Sequence, residues 1–322
     1  MDGIQIYPDR NLRFICAQPA TDYYIWQVET MINNFMDMGV NPNNIDIVCW
    51  KQNNVIPDNW NTLRNHYNYV RFFFYDDTRE TKHYISSIRP NILKQHWLAH
   101  PYLKDEAVFY HDSDIVFTKP ISEWISKEMI IDDNWYGSDT RWYIAHSYII
   151  GKGQEIIDKM CEIMKLPEEL IKENELNAIG AQYLMKDIDA FYWDRVETDC
   201  EALFKQITDL NNSIKVTNPT YHELQIWCAD MWAVLWGAWR RGKKTICDDR
   251  LQFSWGTSSE EEYHKQNIMH NAGVTDANSG LFYKPQFMYE LPYGKPLEIK
   301  EGTASKKYWE WIQKAGGKTC LI

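Results

Sequence analysis

Two aspartates stand where charge is costly. The stretch "AVFYHDSDIVFTKPI" (107–121) reads as buried strand at Val108, Phe109, Ile115, Val116 and Phe117. His111, Asp112, Ser113 and Asp114 interrupt that run with two carboxylates. Burying charge costs several kcal/mol unless something compensates. Residues i and i+2 of a strand point the same way, so both carboxylates can face one point unless the chain turns between them. There they repel, and one of them takes up a proton. A divalent cation removes the conflict, and hard oxygen ligands suit Mg²⁺ or Mn²⁺. Three readings compete. An isolated D-x-D is most often a strand-end turn, one Asp capping a backbone N–H and the other facing water. The second reading is a metal-dependent phosphate site. The third is an acid–base pair of glycosidase type, and it is poor because i and i+2 lie too close to flank a sugar.

The surrounding elements favour the metal. "LRFICAQP" (12–19), 44–50 and 69–77 read as strands. Residues 23–39 follow helical spacing up to Gly39, "NTLRNHY" is a short helix, and 84–103 is a helix with Pro90 near its start. Strand 107–111 comes next. Alternation of this kind predicts an α/β fold with a mainly parallel sheet flanked by helices, whose ligands lie beyond the carboxyl ends of the strands. "CAQP", "YDD" and "HDSD" all fall at such ends. Further on, 134–139 and "HSYIIG" (146–151) read as strands. Residues 154–164 and 175–188 read as helices, and 222–241 as the longest helix. "NIMHNAGV" reads as a strand end entering a loop, and 305–317 as an amphipathic helix. No Pro/Gly/Ser linker divides the chain, so one continuous domain is expected.

Composition narrows the class. The chain has 322 residues and a formal net charge of −11, which argues against a generally basic nucleic-acid surface. "WRRGKK" (239–244) is the best basic patch, but it reads more simply as a helix end with cations suited to the dipole. Seven cysteines without a C-x-x-C pair suggest free thiols in a reducing compartment. The N-terminus has no apolar h-region and no apolar run reaches about 20 residues, so a cytoplasmic protein without a membrane span is expected. The 15 Trp and 20 Tyr suit sugar or base stacking, though most will be packing.

"VFYHDSDIVFTKP" (108–120) resembles the D-x-D segment of nucleotide-sugar glycosyltransferases of the GT-A fold. "SIRPNILKQHW" (87–97), "IGAQYLMKDID" (179–189) and "CADMWAVLWG" (228–237) resemble segments of the peptidyl-serine α-galactosyltransferase and hydroxyproline O-arabinosyltransferase group. "IMHNAGV…YKP" resembles the C-terminal His and Lys-Pro elements of glycogenin-like transferases. The matches run in the expected order from about residue 12 to about 285, which says more than any one of them. Two departures stand out. The plant relatives are secretory and anchored, and His111 stands where many members carry an apolar residue.

The resemblance implies roles. Asp112, Asp114 and His270 would hold Mn²⁺ or Mg²⁺ against a donor diphosphate, although a lone His is more often a hydrogen-bonded core residue. Lys284 would pair with the departing diphosphate, or be an ordinary surface lysine. Arg89 would cover the donor phosphate or sugar, or brace backbone carbonyls, and Gln18 is a weaker candidate for reading the base. Asp139 would bind donor-sugar hydroxyls, or simply pair with Arg141. Gln182 would read a hydroxyl, or sit mid-helix on a wet face. Asp230 lies among apolar residues and needs a partner or a raised pKa. It is a candidate acceptor-side base or oxocarbenium stabiliser. Glu223 would cap its helix, and Trp227 and Trp232 would floor a sugar site or pack the core.

The expectation is therefore a single GT-A glycosyltransferase domain. Its nucleotide-sugar half covers about 1–120, its acceptor half about 121–290, and a helical tail about 300–322. The resemblance implies UDP-sugar as donor and retention of configuration. The acceptor is a glycan, a protein side chain or a small molecule, with modified DNA kept as an alternative. The rivals are a non-catalytic sugar- or metal-binding module and a nucleotidyltransferase. The missing Gly-rich loop near the first strand counts against the latter.

Overall fold

The computed structural model describes residues 10–316. The N-terminal stretch 1–9 and the tail end 317–322 lie outside the described residues. The fold is mixed α/β, mainly parallel, with helices flanking the strands. It forms two compact units. The first takes 11–76, 108–130 and 249–316; the second takes 10, 77–107 and 131–248.

The first unit opens with β1 (Leu12–Pro19), β2 (Ile45–Trp50), β3 (Arg71–Tyr75) and β4 (Ala107–His111), in the order β3-β2-β1-β4. β1 and β3 both run parallel to β2. Parallel neighbours need crossovers, and helices Asp22–Asp37 and Asp58–His66 supply the first two. Helix Asp22–Asp37 is buried without a break from Ile25 to Phe35. β5 (Ile115–Phe117) then leaves this sheet for another one.

The second unit carries β6 (Trp135–Asp139), β7 (Ile179–Lys186) and β8 (Thr245–Cys247), in the order β7-β6-β8. β6 runs antiparallel to β7 and parallel to β8. Four expectations fail here. Residues 146–151 form the helix His146–Ile150, not a strand. Residues 179–186, read as helix, are the strand β7, buried at almost every position and so without a visible alternation. The apolar helix is only Ala229–Arg240, preceded by a 3₁₀ turn at Ile226–Cys228. The longest described helix is instead Ala190–Thr217, which sequence reading missed. Its buried positions Tyr192, Val196, Cys200, Leu203, Ile207 and Asn211 follow helical spacing. Asp189 caps it by accepting from the Tyr192 N–H at 2.8 Å.

Back in the first unit, β9 (Phe253–Trp255) and β10 (Ile268–His270) complete the small sheet β5-β10-β9. β5 is its edge. The Asn34 side chain closes that edge like a strand: its amide nitrogen donates to the Phe117 carbonyl at 2.9 Å, and its oxygen accepts from the Phe117 N–H at 2.6 Å. The terminal helix Ala304–Gly316 packs Tyr308 and Trp309 against Phe282, and Trp26 and Phe287 join the same cluster. No described helix is long and apolar enough to cross a membrane.

Candidate metal centre

Asp112 and Asp114 lie in the turn that joins β4 to β5, so each strand fixes one end of the D-x-D. β10 runs antiparallel to β5 and pairs His270 with Ile115; the Asn271 N–H donates to the Asp114 carbonyl at 3.0 Å. That ladder brings residue 270 to residue 114. His270 Nε2 lies 3.2 Å from Asp114 Oδ1 and 3.5 Å from Asp112 Oδ2. One ligand atom from each of Asp112, Asp114 and His270 falls within 4.8 Å of the others. Phe253 and Trp255 of β9 lie against the imidazole, with Trp255 nearly coplanar at 11°. His111 is buried beside Phe35 and Phe109, and its Nδ1 donates to the Asp112 carbonyl at 2.8 Å.

Lys284 completes the cluster. Its ammonium bonds Asp114 Oδ2. The segment that carries it is anchored by the Phe282 N–H donating to Ser305 Oγ at 2.6 Å and by Trp26 donating to the Phe287 carbonyl at 3.4 Å. Burial alone would raise the Asp114 carboxyl, but Lys284 and His270 outweigh it and hold Asp114 well below the usual range. Burial would lower Lys284 and His270; Asp114 raises both. Lys284 thus stands where a cation is wanted in the metal-free chain.

The donor set fits a hard divalent ion. Carboxylates with one imidazole suit Mn²⁺ or Mg²⁺, and no thiolate is present to favour a softer metal. Two further observations agree. His270 Nδ1 and both ends of the Asn271 amide are buried without a hydrogen-bond partner, and such orphans mark a site that something else completes.

Sequence reading missed four neighbours. Tyr23 is raised by burial, with Lys284 and Asp114 acting on it next. Gln27 accepts from Ser113 Oγ at 3.4 Å and donates to the Tyr23 carbonyl at 2.6 Å. Asn271 directly follows His270. The Tyr308 hydroxyl is buried without a partner, and burial, with Asp114 behind it, pushes it well up. Only Asn271 carried a sequence signal, its adjacency to the histidine. A pocket of about 340 Å³ opens at the end of β1, walled by Thr21, Asp22, Tyr23, Gln52, Pro57 and Tyr289. Gln18 lies deeper, its amide nitrogen 3.4 Å from Cys49 Sγ and its oxygen buried without a partner.

The other residues singled out by sequence belong to the second unit. Asp230 accepts from the Tyr84 hydroxyl at 2.7 Å, and its other oxygen lies 3.7 Å from Arg89 Nη1. It is a partnered carboxylate. Asp139 is held low by hydrogen bonds from Arg141, whose Nη2 lies 2.5 Å from its Oδ2. Gln182 is fully buried in β7, not on a wet helix face, and donates to Ser138 Oγ. A bulge places it there: the register shifts between Gly137 and Ser138, and Ala181 takes the left-handed φ of 64°. Trp232 is core, donating to the Ile144 carbonyl at 2.9 Å, whereas Trp227 is 61% exposed. Glu223 pairs with Lys215 and caps nothing.

One pH effect follows. The His270 value in the folded chain lies above the ordinary value of about 6.5. Its contribution to stability is therefore complete below that pH and is lost as pH rises through the folded value. The metal-free protein should lose urea stability as pH rises above about 6.5, and His270→Gln should flatten that slope. An equal slope in both proteins would place the titrating group elsewhere.

No family model and no curated protein matches the chain. Solved structures similar to it include the WbbM bifunctional glycosyltransferase, at 9% identity and TM-score 0.44, covering 82% of this chain. The chain spans 46% of WbbM's length. The galactosyltransferase LgtC, in complex with donor and acceptor sugar analogues, matches at 9% identity and TM-score 0.42, over 96% of this chain and 97% of its own. Mouse xyloside xylosyltransferase 1 matches at 9% identity and TM-score 0.41, over 83% and 99%. Likenesses this distant carry no weight for activity.

Proposed function

We propose that the chain is a metal-dependent glycosyltransferase of GT-A type that takes its sugar from a nucleoside diphosphate, UDP in the first place. The observation that carries this reading is the convergence of Asp112, Asp114, His270 and Lys284 at the end of β4. Asp112, Asp114 and His270 would hold a divalent ion, which would supply Lewis-acid charge for the diphosphate. Lys284 adds a second positive charge for the same anion, released from Asp114 to the phosphate. The pocket beside Tyr23 is of a size to hold the nucleoside. A sugar- or metal-binding module without turnover is the alternative. It would bind UDP-sugar and liberate no UDP.

The test is a thermal shift with UDP, with and without Mn²⁺, followed by UDP release from a panel of UDP-sugars. UDP with Mn²⁺ at a hundredfold excess over Kd should stabilise by about 2.7 kcal/mol, a rise of roughly 5 °C. UDP or Mn²⁺ alone should do far less. A UDP shift that ignores Mn²⁺ would sink the metal reading. Binding with no UDP release across the panel would select the module instead.

A further inference from the structure

The second unit carries a pocket that donor binding leaves unused. It has a volume of about 370 Å³ and is lined by Lys165, Phe191, Tyr192, Arg195, Arg240 and Arg241. It gathers four cations in a chain of net charge −11. Asp199, 2% exposed, holds Arg195 at 3.0 Å and Arg240 at 2.7 Å. Arg240 also donates to the Met164 carbonyl at 3.0 Å. Arg241 donates to Asp189 at 2.5 Å and lies over the Tyr192 ring, 5.1 Å from its centre. Lys165 is exposed and adds its charge to the field on Asp199. Positive charge is thus in excess over the two carboxylates. The paired arginines could be purely structural, closing helix ends. Yet a guanidinium has five N–H groups, and each of these three uses only one or two.

The pocket also has a flat apolar wall. Phe191 opens the helix Ala190–Thr217 and is 65% exposed. Guanidinium groups match phosphate oxygens in pairs, and an aromatic face suits a nucleobase. We infer that this pocket binds a small nucleoside phosphate, its phosphate on Lys165, Arg195 and Arg240 and its ring on Phe191. The volume is that of a small-ligand site, and the acidic chain repels an extended polyanion. The inference does not rest on the donor-site reading. Asp112, Asp114, His270 and Lys284 all belong to the first unit.

Calorimetry on the full chain in EDTA tests it, with AMP, inorganic pyrophosphate and a short single-stranded oligonucleotide as probes. Lys165 and Phe191 are exposed, so changing them leaves the core intact. Lys165→Glu should weaken both AMP and pyrophosphate by about tenfold. Phe191→Ala should weaken AMP by about tenfold through lost stacking and leave pyrophosphate unchanged. Asp114→Ala should change neither. The inference is overturned if AMP does not bind, if Lys165→Glu leaves its affinity unaltered, or if Phe191→Ala weakens both probes alike. It is also overturned if Asp114→Ala removes binding, which would place the ligand at the metal centre. Tighter binding of the oligonucleotide than of AMP would make the pocket part of a nucleic-acid surface and overturn it too.

Discussion

Asp114→Ala is expected to reduce sugar transfer by on the order of 10³, together with Mn²⁺-dependent UDP binding. Asp114 is 5% exposed and pairs with both His270 and Lys284. The substitution removes the more buried of the two proposed oxygen ligands. It also strands two cations in a site built around an anion. The metal-free variant should therefore lose about 3–5 kcal/mol, the usual consequence of breaking a buried ion pair from one side. Asp114→Ala/Lys284→Met should recover much of that stability and none of the activity. This separates the folding role from the metal role. Wild-type Mn²⁺ dependence in Asp114→Ala would end the assignment, and an unchanged urea midpoint would show that the ion pair is worth little.

Glu201→Ala is expected to cost about 3–5 kcal/mol, because it orphans several buried donors that each lose roughly 1–3 kcal/mol. Glu201 is 5% exposed and accepts from the His83 N–H at 2.8 Å, the Tyr84 N–H at 3.3 Å and the Ser87 hydroxyl. It fixes the turn that leads into the helix Ile88–Ala99. That turn sets the Tyr84 hydroxyl against Asp230, and the helix it begins carries Arg89. Glu201→Gln should keep part of the network and cost less. Urea unfolding of the two variants checks the ranking. Equal midpoints for Glu201→Ala and the wild type would mean that water replaces the carboxylate in full.

The first half of the fold was legible because its strands are apolar runs that end abruptly in polar residues. β1, β2, β3 and β4 fall within the stretches read from sequence, and "HDSD" falls at a strand end. The second half was not, for three physical reasons. β7 is buried on both faces, so it shows no alternation, and its small residues Gly180 and Ala181 serve a bulge. His146–Ile150 is too short for a run of apolar residues to reveal its period. Ala190–Thr217 hides its stripe among charges, since Asp199 is a buried member of that face and Glu201 is buried on another side of the helix. At the metal centre, the spacing of Asp112 and Asp114 was visible. The role of Tyr23, Gln27 and Tyr308 was not, because only packing brings Tyr23 and Tyr308 near Asp114 and Gln27 to Ser113. The patch 239–244 read as a helix end, and Arg240, Arg241 and Lys243 are paired there with Asp199, Asp189 and Asp187.

The first unit is assembled from three separated stretches of chain, and this sets an order of events during synthesis. Asp112 and Asp114 leave the ribosome with the middle stretch, while His270 and Lys284 arrive only with the last. The whole of 131–248 is made in between. Through that interval β5 has no β10 beside it, and the two aspartates have neither their imidazole nor their ammonium. The nascent chain thus shows an unpaired sheet edge next to two uncompensated charges, the kind of surface that chaperones shield and that aggregation exploits. On the proposed reading, a truncated product ending before residue 270 would carry the D-x-D without the imidazole and the ammonium that face it.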